Sequence, residues 1–211
     1  MRLGIFGGTF DPIHVGHLVV AQVALEEAYL DQVLFVPAAV NPLKVGRPVT
    51  PGEHRYEMVK LAIEEHPQFL ATDWEVCRPG PSFTVDTLEY IHAQRPEDQL
   101  FFIIGADNLQ ILPKWKNIDR IMELAKIIAL TRPGYDLKES GETVLALFPH
   151  ICEQIQYVEM PGLEISSTWI RERLGKNRSV NHLLPQKVIR YSEENKFYER
   201  SSDETTGSGC P

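Results

Sequence analysis

The sequence predicts an α/β fold: a doubly wound, Rossmann-like and mostly parallel sheet with a small C-terminal helical subregion. Short runs rich in β-branched and aromatic residues alternate along the chain with stretches of helical periodicity. This alternation is typical of βαβ units, whose right-handed crossovers cover both faces of a parallel sheet. Two more helical stretches follow the last strand-like run, and they account for the C-terminal subregion.

The predicted elements follow one another in a regular order. The strands are expected at Leu3–Phe6, Val33–Pro37, Leu70–Trp74, Leu100–Ile104, Ile127–Thr131 and Ile155–Glu159. Between them, helices are expected at about 16–29, 52–66, 84–94, 117–125 and 139–148. The two last helices are Ser167–Leu174 and Pro185–Tyr198, the second with proline in its first turn. In the first helix, the spacing predicts a core-facing stripe of Val15, Leu18, Val19, Gln22 and Leu25.

The 211 residues, 43% hydrophobic and 24% charged, are enough for one main core. We therefore expect a single domain over residues 1–198, with its last helices, about 166–198, packed on the sheet edge. Residues 199–211 contain almost no apolar side chains. Such a segment cannot offset the entropy lost on ordering, so a mobile tail is expected there.

The net charge and the hydropathy of the sequence limit the kinds of binding partner that we expect. The formal net charge is −8, which disfavours nucleic acid as a partner. No apolar run approaches the roughly 18–20 residues that a membrane span needs, so we expect no membrane partner and a cytoplasmic location. The three cysteines form no C-x-x-C pair, and we interpret Cys77 and Cys152 as small packing residues. Whether the chain forms a homo-oligomer stays open.

The segment Gly7-Gly8-Thr9-Phe10-Asp11-Pro12-Ile13-His14-Val15-Gly16-His17 directly follows the first predicted strand. Ligands of open parallel sheets bind at the carboxyl ends of strands, where helix N-termini also point their N–H groups. Two adjacent glycines let a phosphate approach the backbone there. His14 and His17 share one face if the helix has already begun, and Gly16 between them leaves room for a bulky ligand.

Other phosphate-binding and metal-binding patterns fit poorly. The strand is not followed by G-x-G-x-x-G, and the chain contains no G-x-x-x-x-G-K-[ST], so a dehydrogenase and a P-loop ATPase are disfavoured. A zinc site would need a third and a fourth ligand, which no cysteine or carboxylate pairing supplies. No protein metal site is therefore expected.

The histidine segment resembles the signature of the H-x-G-H nucleotidyltransferases, and its longer string is similar to that of the bacterial nicotinate-nucleotide adenylyltransferases. The resemblance extends over about residues 1–198. It implies catalytic roles for His14 and His17, and ATP contacts for Gly7, Gly8, Thr9 and Phe10. Near the other end, Ile165-Ser166-Ser167-Thr168-Trp169-Ile170-Arg171 is similar to a second family signature. It implies ATP contacts for the three hydroxyl residues and a catalytic role for Arg171.

Several intermediate blocks match in order. Asn41-Pro42-Leu43-Lys44 partly matches a Pro-Pro-His-Lys-like stretch, which implies that Lys44 binds the triphosphate. Gly105-Ala106-Asp107 and Arg132, in Leu130–Tyr135, resemble parts of the ATP site, which implies ATP contacts for Gly105, Asp107 and Arg132. Pro81–Thr87 and Lys114-Trp115 resemble segments that bind the pyridine mononucleotide, and Lys116 stands where the family often has an aromatic residue. The implied contacts are Thr84, Trp115 and Lys116, and the Lys116 charge favours an acid over an amide.

The resemblance implies adenylyl transfer from ATP, with Mg²⁺ as cofactor, to nicotinate mononucleotide. The products are deamido-NAD and pyrophosphate, and the expected substrates are these two small molecules. Nicotinamide mononucleotide and phosphopantetheine stay open as alternative acceptors, and so does a nucleotide-binding module without turnover. The Lys114-Trp115 element argues against phosphopantetheine, and the set of His14, His17, Lys44 and Arg171 argues against loss of activity.

Overall fold

Six parallel strands form one sheet in the order β3-β2-β1-β4-β5-β6. The structure, a computed structural model, describes residues 1–39, 49–131 and 154–198. The strands are β1 (Arg2–Gly8), β2 (Gln32–Pro37), β3 (Phe69–Ala71), β4 (Gln99–Gly105), β5 (Ala125–Thr131) and β6 (Ile155–Glu159). This is the order of a doubly wound fold, which reverses between β1 and β4. The predicted fold class is confirmed.

Six α-helices connect or follow the described strands. They are α1 (Val15–Glu27), α2 (Gly52–Ile63), α3 (Thr84–Gln94), α4 (Ile118–Leu124), α5 (Ser167–Leu174) and α6 (Gln186–Glu194). A 3-10 helix that the sequence analysis did not predict occupies Ala106–Lys114. Its buried residues, Ala106, Leu109 and Leu112, recur every third position, which is the period of a 3-10 helix. The predicted helix 139–148 lies outside the described residues.

The strand side chains alternate between two cores, one on each face of the sheet. In β4, Phe101 and Ile103 belong to one buried cluster, whereas Leu100, Phe102 and Ile104 belong to the other. Successive strand residues point to opposite faces, so a strand covered on both sides must be apolar throughout. This explains why the central strands appear in the sequence as continuous hydrophobic runs.

Helix α1 buries a different face from the predicted one. Its buried residues are Gly16, Ala21, Ala24 and Leu25. Of the predicted stripe, Leu25 is therefore buried, and Leu18 packs against the core while only partly buried. The larger aliphatic side chains of this helix are only partly buried. Because alanine and glycine project so little, a helix that buries them can lie close to a sheet. The interpretation of Cys77 as a packing residue is also wrong, since its side chain is exposed.

The C-terminal helices contact α2 and the start of α1. Nδ1 of His54 in α2 lies 2.8 Å from the hydroxyl oxygen of Tyr191 in α6. The backbone N–H of Val15 donates to the Leu183 carbonyl at 3.0 Å. These contacts hold α5 and α6 beside the carboxyl ends of the strands. Cys152 and the predicted tail 199–211 lie outside the described residues, and within the described ranges no helix is long and apolar enough to span a bilayer.

We predict that Ala24→Leu destabilises the protein by about 1–3 kcal/mol, because a fully buried methyl position has no room for a larger side chain. The control Glu27→Leu places the same residue at an exposed position of α1 and should change stability by less than about 0.5 kcal/mol. Urea unfolding measures both. Equal stabilities of the two variants would show that α1 does not pack against the sheet in this orientation.

Candidate active site

A cavity of about 830 Å³ lies at the carboxyl ends of β1 and β4, where the strand order reverses. This is the position at which open α/β sheets bind ligands. Every predicted site residue within the described ranges lines it: Gly7, Gly8, Thr9, Phe10, His14, His17, Thr84, Gly105, Asp107, Trp115, Lys116, Ser166, Ser167, Thr168 and Arg171. Lys44 and Arg132 lie outside the described residues.

The two histidines stack at the beginning of α1. Their ring centroids are 3.7 Å apart and the ring planes differ by 24°. The His14 backbone N–H donates to Nδ1 of His17 at 3.2 Å, which fixes the second ring against the first turn. A methyl group placed on Gly16 would lie 3.0 Å from Nδ1 of His14. A side chain at position 16 would therefore press on the His14 ring, and Gly16 itself lines the cavity.

His14 is a buried, neutral imidazole. Its residue is 5% exposed, and burial lowers the pKa of its ring to about 4. Nδ1 of His14 and Oγ1 of Thr9 are both buried, and neither has a hydrogen-bond partner within the described residues. Unpaired buried polar atoms cost about 1–3 kcal/mol each. Both residues line the cavity, so a polar ligand bound there could supply the missing partners.

Side chains from other elements hold three carbonyl groups of the loop between β1 and α1. Arg55 of α2 donates to the Thr9 carbonyl at 2.7 Å. Arg171 donates to the Asp11 carbonyl at 2.6 Å, and the Ser167 hydroxyl donates to the Pro12 carbonyl at 2.9 Å. Carbonyl oxygens repel anions. Binding them to cationic and hydroxyl donors makes the loop more favourable for a phosphate group.

Phe10 fixes the shape of the same loop from inside. Its backbone adopts φ 48°, and its ring is 2% exposed. The ring meets His17 edge-on, with centroids 5.0 Å apart. A methyl group on Gly8 would lie 2.8 Å from Cζ of Phe10. Gly8 is therefore required by the packing of Phe10, and Phe10 in turn supports the second histidine.

The start of α5 closes one side of the cavity. Ser166 is the N-cap, and its Oγ accepts a hydrogen bond from the Trp169 N–H at 3.2 Å, as a capping serine does. One turn later, Arg171 donates to Oγ1 of Thr168 at 3.3 Å. The guanidinium thus has two protein partners on the cavity wall while its side chain remains 32% exposed.

The opposite side of the cavity contains the residues matched to mononucleotide binding. Trp115 is half-buried and meets Phe102 edge-on, with centroids 5.7 Å apart. Lys116 lies 3.2 Å from Asp86 and 4.5 Å from the centre of the Phe83 ring. Its charge is therefore partly compensated within the protein. The exposed Gly105 and Asp107 lie at the end of β4, between the two groups of residues.

Sequence reasoning missed two buried charged residues near the cavity, Arg55 and Glu75, which are 1% and 7% exposed. Arg55 shares the buried side of α2 with Met58, Val59 and Ala62. A charged residue within an apolar helical stripe could have been predicted to have a specific role, because a buried charge needs dedicated partners. Glu75 follows β3 in a segment without regular periodicity, which gave no comparable signal.

The comparisons with known proteins agree with this geometry. Residues 5–173 match the cytidylyltransferase-like family. The chain is 47% identical over 198 residues to a probable nicotinate-nucleotide adenylyltransferase of Thermus thermophilus, covering 94% of this chain and all of that protein. The chain belongs to the cytidylyltransferase-like family and, within it, to the nicotinate-nucleotide adenylyltransferases.

One further relative agrees in sequence, and one solved structure agrees in fold. The nicotinate-nucleotide adenylyltransferase of Bacillus subtilis is 42% identical over 198 residues, which is 94% of this chain and 98% of that one. A solved structure of the Plasmodium falciparum nicotinic acid mononucleotide adenylyltransferase, complexed with NaAD, superposes with a TM-score of 0.74. It is 21% identical and covers 93% of this chain and 97% of that chain, and it shows the shared fold.

We predict that His14 makes the stability of this adenylyltransferase depend on pH. Because burial lowers the pKa of His14 to about 4 from 6.5, the unfolded chain binds this proton more readily than the folded protein does. Stability is therefore lost as the pH falls from about 6.5 towards 4, and between pH 7 and pH 5 the loss is about 2 kcal/mol.

Urea unfolding of the wild type and His14→Gln at the two pH values measures this contribution. The variant should lose about 2 kcal/mol less than the wild type, whereas His66→Gln, at an exposed position, should follow the wild type. Identical losses in all three proteins would contradict a buried neutral His14.

Proposed function

We propose that this chain transfers the adenylyl group of ATP to nicotinate mononucleotide, giving deamido-NAD and pyrophosphate in NAD biosynthesis. The observation that carries the proposal is the stacked His14–His17 pair at the switch point of the sheet, beside a loop whose carbonyls are already bound. The names of the relatives from Thermus thermophilus and Bacillus subtilis support the same reaction.

The reaction requires the protein to align the two substrates and to stabilise the charge on their phosphates. A phosphate oxygen of the mononucleotide attacks the α-phosphorus of ATP, and the bond from that phosphorus to the bridging oxygen breaks, releasing pyrophosphate. The attacking oxygen is already anionic, so no side chain has to remove a proton. Catalysis then rests on holding the two reactants in line and on donors for the charge that accumulates on the phosphates.

In this proposal the histidines and Arg171 are the catalytic donors. His14 is neutral at physiological pH, since its pKa is about 4, and it donates as an imidazole. His17 is held by the His14 backbone and by Phe10, so its ring needs little reorganisation. Arg171 places a permanent positive charge on the cavity wall. Lys44 as a further catalytic cation and Arg132 as an ATP contact stay predictions from the resemblance.

The cavity divides into two proposed subsites. ATP occupies the side formed by the β1–α1 loop, the end of β4 and the start of α5: Gly7, Gly8, Thr9, Phe10, Gly105, Asp107, Ser166, Ser167 and Thr168. The mononucleotide occupies the side formed by Thr84, Trp115 and Lys116. The half-buried Trp115 offers a flat apolar surface to a pyridine ring.

Mg²⁺ is proposed to enter with ATP. Among the residues that the structure describes, no group of three or more histidine, cysteine, aspartate or glutamate side chains could hold a metal ion. Mg²⁺ is commonly bound by substrate phosphates and only one or two carboxylates. The exposed Asp107 in the cavity fits that pattern. When bound, the ion neutralises charge on the triphosphate.

The acceptor is the acid in preference to the amide because Lys116 adds a positive charge beside the proposed pyridine subsite. Its pairing with Asp86 at 3.2 Å and its exposure make this preference modest. The partners proposed are these small molecules alone, acting in the cytoplasm.

The direct experiment incubates the purified protein with ATP and Mg²⁺ and, separately, with nicotinate mononucleotide, nicotinamide mononucleotide or phosphopantetheine. We expect pyrophosphate release to be fastest with nicotinate mononucleotide. Binding of ATP without pyrophosphate release from any acceptor would instead indicate a nucleotide-binding module without turnover.

We predict that His17→Ala lowers turnover at least about 100-fold while the protein stays folded, the loss typical of removing one preorganised donor. Pyrophosphate release and circular dichroism measure the two quantities. His66→Ala removes an exposed imidazole outside the cavity and should retain wild-type turnover. A near-normal rate for folded His17→Ala would refute the catalytic role of this residue.

A further inference from the structure

Two buried charged side chains lie beside the cavity: Arg55 is near the proposed ATP subsite, and Glu75, which lines the cavity, is near the proposed mononucleotide subsite. We call residues 7–14 the donor loop and residues 82–84 the acceptor loop. Arg55 holds the donor loop through the Thr9 carbonyl at 2.7 Å. Glu75 accepts a hydrogen bond from the hydroxyl of Thr87, in the first turn of α3 directly after the acceptor loop.

The donor loop and the acceptor loop are connected through Ala39, which lies two residues beyond the end of β2. Nη2 of Arg55 donates to the Ala39 carbonyl at 3.3 Å. The Ala39 N–H donates to Oγ of Ser82 at 2.9 Å. A continuous series of hydrogen bonds thus runs from Thr9 through Arg55 and Ala39 to Ser82, and we call this series the buried bridge.

The buried bridge is well fixed at both ends. Arg55 also donates to the Thr50 carbonyl at 2.7 Å, so three carbonyls orient its planar guanidinium. Burial lowers the pKa of Arg55, and the negative charge of Asp11 opposes this shift. Burial raises the pKa of Glu75, and hydrogen bonds from Ser82 and Thr87 oppose it. Removing one member would leave another buried polar group without its partner, which is costly.

We propose that Arg55 and Ser82 are positioning residues that set the separation between the donor loop and the acceptor loop. The proposal rests on the proposed function for the identity of the two substrates. In-line attack needs the reacting atoms about 3–3.5 Å apart, and a displacement of about 1 Å costs on the order of 100-fold in rate. A rigid connection between the loops maintains that separation before the substrates bind.

The buried bridge predicts that a substitution in the acceptor loop changes binding at the ATP subsite on the other side of the cavity. Ser82→Ala alters the acceptor loop, yet it should weaken ATP binding about fivefold, the factor that one typical hydrogen bond supplies. The effect should disappear when Arg55 is already Lys, because the compact ammonium group lacks the planar fork that reaches the separate carbonyls of Thr9, Ala39 and Thr50. Ser82→Thr keeps the hydroxyl and should restore ATP affinity. In turnover with nicotinate mononucleotide, Ser82→Ala and Arg55→Lys should each lower kcat about tenfold, and the double variant no further.

The wild type, Ser82→Ala, Arg55→Lys and the double variant form a double-mutant cycle. Titration of these four proteins with ATP, and their steady-state turnover, test the proposal. Ser192→Ala is the control, because it removes a buried hydroxyl of α6 outside the cavity. If Arg55→Lys does not fold, Arg55→Gln, which also removes the guanidinium, takes its place in the cycle. Effects that multiply in the double variant, or an unchanged ATP affinity in Ser82→Ala, would overturn the proposal. The ATP titration needs no turnover, so absence of pyrophosphate release would count against the proposed function and leave this test intact.

Discussion

The site depends on the loop between β1 and α1 being held by its carbonyl oxygens. A chain that turns from a strand into a helix exposes both carbonyl and N–H groups, and only the N–H groups favour a phosphate. Here Arg55, Arg171 and Ser167 bind three of the carbonyls. The buried Phe10 ring prevents the loop from collapsing. The stacked histidines can therefore occupy one defined position before any substrate arrives.

This arrangement explains how an acidic protein can accommodate a polyanion. The net charge of −8 gives no long-range attraction, so affinity must come from groups at short range. Arg171 supplies one such charge on the cavity wall, whereas the charge of Arg55 is spent on the backbone. Arg171 thus serves both the cavity wall and the loop, through the Asp11 carbonyl, whereas the hydrogen bonds of Arg55 go to backbone carbonyls alone.

Much of the fold could be predicted because its signals are local. β4 is a continuous apolar run, and the glycine-rich segment with its two histidines directly follows β1, so both the sheet and the site position were readable. The buried face of α1 could not be predicted, because the small residues Ala21 and Ala24 face the core, while longer aliphatic residues of the same helix lie at the margin of the core. Arg55 was missed because its role depends on the carbonyls of Thr9 and Ala39, which only the tertiary structure brings near it.

The most direct test of this account is a crystal structure of the protein soaked with a non-hydrolysable ATP analogue. The account predicts triphosphate oxygens within hydrogen-bond distance of His14 or His17 and of Arg171, with the donor loop in the conformation described above. An analogue bound elsewhere on the surface, with both imidazoles making no contact with it, would contradict the account.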